Sequence, residues 1–114
     1  MEPIDLAREI VNVLADKKGE DILLLDLCEL TTVADYFVIC SGTSDRQLRA
    51  LVSSVRGEMK ERGFLPLRVE GEPSSGWVLM DYSAVVVHVF TPELRAFYDL
   101  EGLWREGRVV VRIQ

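Results

Sequence analysis

The sequence predicts a single mixed α/β (α+β) domain with a sheet of about five strands, and three observations support this prediction. The 114 residues are 48% hydrophobic and 28% charged, which is typical of a globular domain. A chain of this length buries roughly two-thirds of its surface, enough for one hydrophobic core. Segments with helical apolar spacing alternate with short apolar runs, which favours a mixed sheet with a right-handed crossover between the second and third strands.

The chain begins with a predicted helix over residues 3–18, because apolar side chains recur every three or four positions. Gly19 is a natural helix-ending residue. The run Asp21–Leu27 is too short for another helix and predicts a strand that is apolar on both faces. Tyr36–Cys40 predicts the next strand.

A second helix is predicted over residues 45–62, ending before Gly63. Ser44 and Gln47 have the spacing of a capping box, in which each side chain bonds to the other residue's backbone N–H. A strand at Leu65–Glu70 and a turn over residues 71–76 follow.

Two further strands, Trp77–Tyr82 and Val85–Phe90, predict a hairpin with its turn at Ser83-Ala84. Pairing through this turn places Leu79 opposite His88 and sorts alternate side chains onto two faces. One face has core chemistry and comprises Val78, Met80, Tyr82, Val85, Val87 and Val89. The other face comprises Trp77, Leu79, Asp81, Val86, His88 and Phe90. This second face is either a protein interface or a surface under a helix, with Asp81 and His88 satisfying each other.

After the hairpin, Thr91 and Pro92 predict the start of a short helix that continues to Phe97. The amphipathic stretch Tyr98–Trp104 follows. Its aromatic residues lie beside acids, so it either anchors a basic partner or packs its rings on the sheet. Arg108–Ile113 alternates weakly and predicts an edge strand or a tail.

Charge and residue types limit the chemistry that the chain can perform. Thirteen Lys and Arg against 19 Asp and Glu give a net charge of −6, which argues against broad nucleic-acid binding and matches a basic protein partner. A single histidine, His88, in an apolar strand is more often structural than catalytic, and two cysteines with one histidine cannot form a zinc site of four such ligands.

The turn Gly42–Ser44 is the one weak candidate for a phosphate site, and a serine that caps its helix explains the same residues. A nucleotidyltransferase would also need paired carboxylates. Glu70 and Glu72 are the available pair, and they flank a turn.

Both cysteines, Cys28 and Cys40, lie in or beside apolar runs and are interpreted as buried thiols in a reducing compartment, with a disulfide as the alternative. The longest apolar run, Ile22–Leu25, is far too short to span a bilayer, so a cytoplasmic protein is expected.

Several separate motifs resemble the ribosomal silencing factor family, also called RsfS or Iojap. The motifs occur in the family's order over nearly the whole chain, and they are Asp35–Gln47, Glu70-Gly71, Trp77–Tyr82, Val85–Phe90, Ala96–Glu101 and Leu103-Trp104. The resemblance implies that residues 1–104 form the family's domain, with residues 105–114 as an added strand or tail. It also implies a nucleotidyltransferase-like fold that lacks catalytic carboxylates.

The same resemblance implies a regulatory role without catalysis, cofactor or metal. Members of the family bind ribosomal protein fourteen of the large subunit and block joining of the small subunit when nutrients are scarce. The implied contact residues are Trp77, Leu79, Asp81, Tyr82, Tyr98, Asp99, Leu100 and Trp104. The alternatives are a nucleotide-binding enzyme that uses Gly42–Ser44 with Glu70 and Glu72, and an adaptor that forms a homodimer through its sheet face.

Overall fold

A computed structural model describes residues 1–114 and confirms a mixed α/β domain with one mixed sheet. The sheet has six strands, one more than predicted, because the C-terminal segment forms a strand. In chain order the elements are α1 (Pro3–Asp16), β1 (Glu20–Asp26), β2 (Tyr36–Ser41), α2 (Asp45–Glu61), β3 (Arg68–Glu70), a 3-10 turn (Pro73–Ser75), β4 (Trp77–Asp81), β5 (Val85–Phe90), α3 (Pro92–Tyr98), α4 (Leu100–Leu103) and β6 (Arg108–Ile113).

The strands lie in the order β3-β4-β5-β2-β1-β6. Only β2 and β5 pair in parallel, and every other neighbouring pair is antiparallel. Helix α2 connects β2 to β3, which runs in the same direction at the sheet edge beyond β5 and β4. The weakly alternating segment at the C-terminus is the opposite edge strand, β6, paired with β1.

Two element boundaries differ from the predicted ones by two residues or more, each with a local cause. Helix α1 ends at Asp16, and Lys18 adopts a left-handed φ of 67° while the Gly19 N–H donates to the Leu14 carbonyl. Strand β3 starts only at Arg68, since Pro66 has no N–H for a strand ladder.

The cap of α2 differs in detail from the predicted capping box. The Ser44 hydroxyl accepts from the Gln47 N–H at 3.1 Å, as predicted. The Gln47 side-chain oxygen accepts instead from the Thr43 N–H at 2.8 Å, and its amide group donates to the Lys18 carbonyl at 2.9 Å. The helix start is therefore tied to the end of α1.

The two faces of the sheet carry separate apolar clusters. Helices α1 and α2 cover one face over a cluster of 21 buried residues. The other face has a cluster of eight buried residues, and the partly buried apolar side chains that pack against it come from β4, α3, α4 and Trp104. None of the helices has the length and apolar character that crossing a bilayer requires.

The two cysteines are in different environments. Cys40 is buried in the larger cluster, and burial raises the pKa of its thiol to about 12. Cys28 is exposed, so the prediction of two buried thiols is wrong for this residue. Strand β1 ends at Asp26, and Cys28 lies in the turn that follows. Both thiols are free.

Candidate partner-binding surface

The hairpin β4–β5 places its residues on the two predicted faces. Leu79 pairs with His88, and Trp77 pairs with Phe90. Val78, Met80 and the valines opposite them join the core under α1 and α2. Trp77 and Leu79 are half-buried on the other side, which we name the open face and define by Trp77, Leu79, Leu94, Tyr98, Leu100 and Trp104.

Aromatic rings form a continuous group on the open face. The Trp77 ring stacks on Phe90 with centroids 4.9 Å apart, and it also contacts Tyr98 at 4.7 Å. Phe97 contacts Tyr98 edge-on at 5.0 Å. Tyr98 is 48% exposed and Phe97 is 76% exposed, so the group continues from the buried sheet to the solvent. Large exposed rings supported by buried ones are typical of binding anchors.

His88 fixes the position of the Trp77 indole. The indole Nε1–H donates to His88 Nδ1 at 3.2 Å, so the imidazole is a neutral acceptor. Burial lowers the pKa of His88 to about 4, which keeps it neutral near pH 7. Its Nε2 is buried without a hydrogen-bond partner. The side chain therefore supports the surface from below.

Asp81 does not pair with His88, contrary to one of the two sequence interpretations. It lies opposite Val86 at the end of β4. Its carboxylate accepts from the Ser83 N–H at 2.8 Å, which stabilises a turn where Ser83 has a φ of 74°. It also forms an ion pair with Arg68 at 3.4 Å. Asp81 thus has a structural role at the hairpin turn.

A groove of about 300 Å³ lies between β4 and α3 on the open face. Its apolar walls are Trp77, Leu79, Leu94 and Tyr98, and Glu70, Gly71 and Ser75 complete the lining. Gly71 has a φ of 84°, and a Cβ at this position would overlap the Trp77 carbonyl. Only glycine fits here, so the Glu70-Gly71 motif shapes one end of the groove.

A buried arginine that the sequence analysis did not single out holds the C-terminal helices on the sheet. Arg95 is 8% exposed and forms an ion pair with Glu101 through two bonds of 2.8 and 3.2 Å. One further nitrogen of Arg95 donates to the Asp21 carbonyl and to the Ser41 hydroxyl. These partners lie 74 and 54 positions away in the chain, so no local pattern indicates the contact.

The predicted residues near the C-terminus separate into supporting and exposed groups. Asp99 has a φ of 48° and caps α4 by accepting from the Gly102 N–H at 3.1 Å. Leu100 packs half-buried against the smaller cluster. The Trp104 ring meets Phe37 edge-on at 6.0 Å, and its outer side lines a second depression of about 370 Å³ beside α4.

Tyr82, unlike the other aromatic residues of the predicted contact set, lies outside the open face. It is only 7% exposed and belongs to the core under the long helices. Burial raises the pKa of its hydroxyl, which has no hydrogen-bond partner. Alternation along the hairpin puts Tyr82 on the core side together with Met80.

The residues of the nucleotide alternative do not converge on a site. Ser44 caps α2, and the Thr43 N–H donates to Gln47. Glu70 forms an ion pair with Arg68 at 3.2 Å, and the Glu72 N–H donates to Ser75 beside the 3-10 turn. The Glu70 carboxylate is thus held by an ion pair, and the Glu72 backbone is part of the turn.

The whole chain matches one known protein family. The family model described as "Ribosomal silencing factor during starvation" matches residues 1–114. The chain is 45% identical over 92 residues to ribosomal silencing factor RsfS of Bacillus subtilis, covering 81% of this chain and 78% of that protein.

One solved structure and one more distant relative extend the comparison. A crystal structure of a protein from Chromobacterium violaceum aligns with a TM-score of 0.88 at 38% identity, covering 97% of this chain and 94% of the other. A mouse protein named "Mitochondrial assembly of ribosomal large subunit protein 1" is 34% identical over 98 residues, which is 83% of this chain and 43% of that protein.

Proposed function

The chain belongs to the ribosomal silencing factor family, and we propose that it represses translation by docking its open face on ribosomal protein fourteen of the large ribosomal subunit. A bound copy then blocks joining of the small subunit when nutrients are scarce. The family is regulatory, and the proposed action needs binding alone. Ribosomes are the target, so we place the protein in the cytoplasm.

The observation that supports this proposal is the incomplete cover of the open face. Trp77, Leu79 and Tyr98 surround a groove of about 300 Å³, and buried His88 and Phe90 hold the Trp77 ring in place. A fixed aromatic anchor loses little conformational entropy on binding, which favours affinity. This groove is therefore the proposed centre of the interface.

Carboxylates around the open face match a basic partner. Glu70 lines the groove, Glu106 lines the depression beside Trp104, and Asp99 is exposed between them. The whole chain has a net charge of −6. Ribosomal proteins that contact RNA are generally basic, and such complementarity speeds association and makes it dependent on salt.

Blocking follows from volume. The domain measures 35 × 33 × 24 Å, so a copy bound near the subunit interface holds the two subunits apart by more than any side-chain movement can accommodate. Repression is then proportional to occupancy. No step of this mechanism needs a reacting group.

The direct test is co-sedimentation with purified large subunits. Tyr98→Ala removes a half-exposed ring and is expected to weaken binding about tenfold or more, as for a central interface residue. The matched control is Leu65→Ala, which removes an apolar side chain that is 67% exposed but lies outside the open face. We expect this control to bind like the unmodified protein.

A second arm identifies the partner. Isolated ribosomal protein fourteen is expected to bind the unmodified protein. Tyr98→Ala should reduce this affinity by the same factor as it reduces the affinity for the large subunit. If Tyr98→Ala and Leu65→Ala bind large subunits equally well, the open face is removed from the proposal. Normal binding to subunits without binding to the isolated protein would assign the contact to another component.

A homodimer is the second candidate for the open face, because its exposed rings suit a second copy as well as a ribosomal protein. Light scattering over a concentration series measures this. A dimer that dissociates when large subunits are added would show that both partners use the same face.

A further inference from the structure

Helix α2 has a line of positively charged side chains along its outer surface. Arg46, Arg49, Arg56 and Lys60 are all exposed, and with Ser53 they occupy positions separated by three or four residues. Positions with this separation lie above one another on a helix. The line covers about 21 Å from Arg46 to Lys60 at the usual helical rise. We name these four cations the basic stripe.

The basic stripe is free of internal ion pairs. Four other cations of the chain, Arg62, Arg68, Arg95 and Arg108, each have a carboxylate within 4.0 Å, and no stripe residue does. Glu58 and Glu61 line a depression with Ser53 and Gly57 on one flank of α2, and Asp45 lies on the other flank, beside the arginines. Of the nine cations without such a partner, four belong to this one line on α2.

Small residues adjoin the stripe on the outer crest of α2. Ala50, Ser53 and Gly57 are exposed, and nothing lies within 4 Å of the place where a Cβ of Gly57 would be. The helix surface around Ser53 is thus low, and a phosphate backbone can approach it from the side of Arg49 and Arg56, away from the flank that carries Glu58 and Glu61. Arginine is also well suited to phosphate, because its planar group donates several hydrogen bonds.

We propose that the basic stripe binds the phosphate backbone of ribosomal RNA next to the docking site. The inference rests on the proposed ribosome binding and adds a second contact to it. The open face and the stripe lie on different layers of the domain, and the edge at the 3-10 turn connects them. Ser75 of that turn lines the groove, and the turn packs on α2. A ribosomal protein that has RNA next to it can contact the open face on one side of this edge, while the RNA contacts the basic stripe on the other side.

The net charge does not contradict an RNA contact, since charges more than about 8 Å apart are largely screened at physiological salt. The net charge makes the RNA contact dependent on docking through the open face. An acidic protein is repelled from free RNA as a whole, while a stripe held beside RNA by the open face acts at high effective concentration. The stripe then adds most affinity at the correct site, and its contact with free RNA is weaker.

The test compares two double variants with the same net charge. Arg49→Gln with Arg56→Gln neutralises half of the stripe, and Arg8→Gln with Arg112→Gln neutralises two exposed cations on α1 and β6. Binding to large subunits is measured over a range of salt concentrations. For the stripe variant we expect a roughly fivefold loss of affinity, and a fall of about 1.5 in the slope of log affinity against log salt. The control should keep both values.

A labelled RNA hairpin at about 0.1 M salt, where distant acidic groups are screened, tests the stripe without the ribosome. The unmodified protein and the control are expected to bind it weakly, and the stripe variant to bind about fivefold more weakly still. Equal losses of affinity in the stripe variant and the control would show that net charge alone determines binding, and would overturn the inference. Weaker subunit binding with unchanged hairpin binding would overturn it in favour of an acidic protein contact. If the hairpin binds through the stripe but the protein does not bind large subunits, the proposed docking function is refuted, and RNA binding by the stripe remains supported.

Discussion

The two faces of the sheet differ in their cover, although the same strands contribute to both. Under α1 and α2, 21 buried residues form a closed core. On the open face eight buried residues lie beneath two short helices, and Trp77, Leu79 and Tyr98 remain accessible. Adjacent residues of β4 therefore differ in burial. Met80 is fully buried in the core, whereas part of the Leu79 side chain remains accessible to a partner. The surface left for a partner is thus the part of the sheet that the chain itself does not cover.

The largest effect is expected at the contact that keeps the open face partly covered. Arg95→Met leaves Glu101, the buried Ser41 hydroxyl and the Asp21 carbonyl without their partner. We expect the free energy of unfolding in urea to fall by about 4 kcal/mol, as when one partner of a buried pair is removed.

The matched control is Arg68→Met, which breaks ion pairs of an arginine whose side chain is 64% exposed. Its expected cost is below about 1 kcal/mol. Similar costs for the two variants would show that Arg95 does not hold α3 and α4 in place.

Neighbouring residues of β4 test the difference between the faces directly. Met80→Ala removes a side chain with 0% exposure, and we expect a loss of about 3 kcal/mol in unfolding free energy. Leu79→Ala removes a half-buried side chain next to it and should cost about 1 kcal/mol. The loss of affinity for large subunits should be larger for Leu79→Ala than for Met80→Ala. The contrast between the faces fails if Leu79→Ala destabilises as much and leaves binding unchanged.

A smaller effect is expected from acid, acting through His88. Its folded pKa is lowered to about 4 from 6.5, so the unfolded chain binds the proton more readily below about pH 6.5. Stability should therefore fall as the pH decreases, by about 2 kcal/mol between pH 7 and 5.

The variant His88→Asn isolates this contribution, because its side-chain oxygen can still accept from the Trp77 indole while it does not titrate. Its unfolding free energy should change about 2 kcal/mol less over the same pH range. Identical pH profiles for both proteins would mean that His88 is not buried in its neutral form.

The smallest effect concerns the cysteines, whose modification should reveal burial without changing stability. A thiol reagent is expected to label Cys28 in the folded protein and both cysteines after denaturation, because Cys40 is buried with a pKa of about 12. Mass spectrometry of the labelled peptides gives the answer. Labelling of Cys40 at native conditions would show that the core under the long helices opens readily.

Short-range patterns predicted most of the fold, because they have physical periods. Alternation along β4 and β5 assigned each hairpin residue to the correct face, and it placed Tyr82 in the core although the family motif suggested a contact role. Helical spacing predicted α1 and α2 within two residues at each end.

What the sequence did not reveal depends on contacts between distant residues. The partners of Arg95 come from β1, β2 and α4, and no spacing rule connects them. Cys28 follows an apolar run, yet the strand ends two residues before it. Strand β6 alternates too weakly to be recognised alone, and it is defined by its pairing with β1.

The central claim, that the open face docks the domain where it separates the subunits, is tested most directly by a subunit-joining assay. Purified small and large subunits are mixed with the unmodified protein or with Trp77→Ala, and joined ribosomes are measured by sedimentation. We predict that the unmodified protein suppresses joining in proportion to its concentration, and that the variant needs about ten times more protein for the same effect. Equal suppression by both proteins, with the variant folded, would contradict the account.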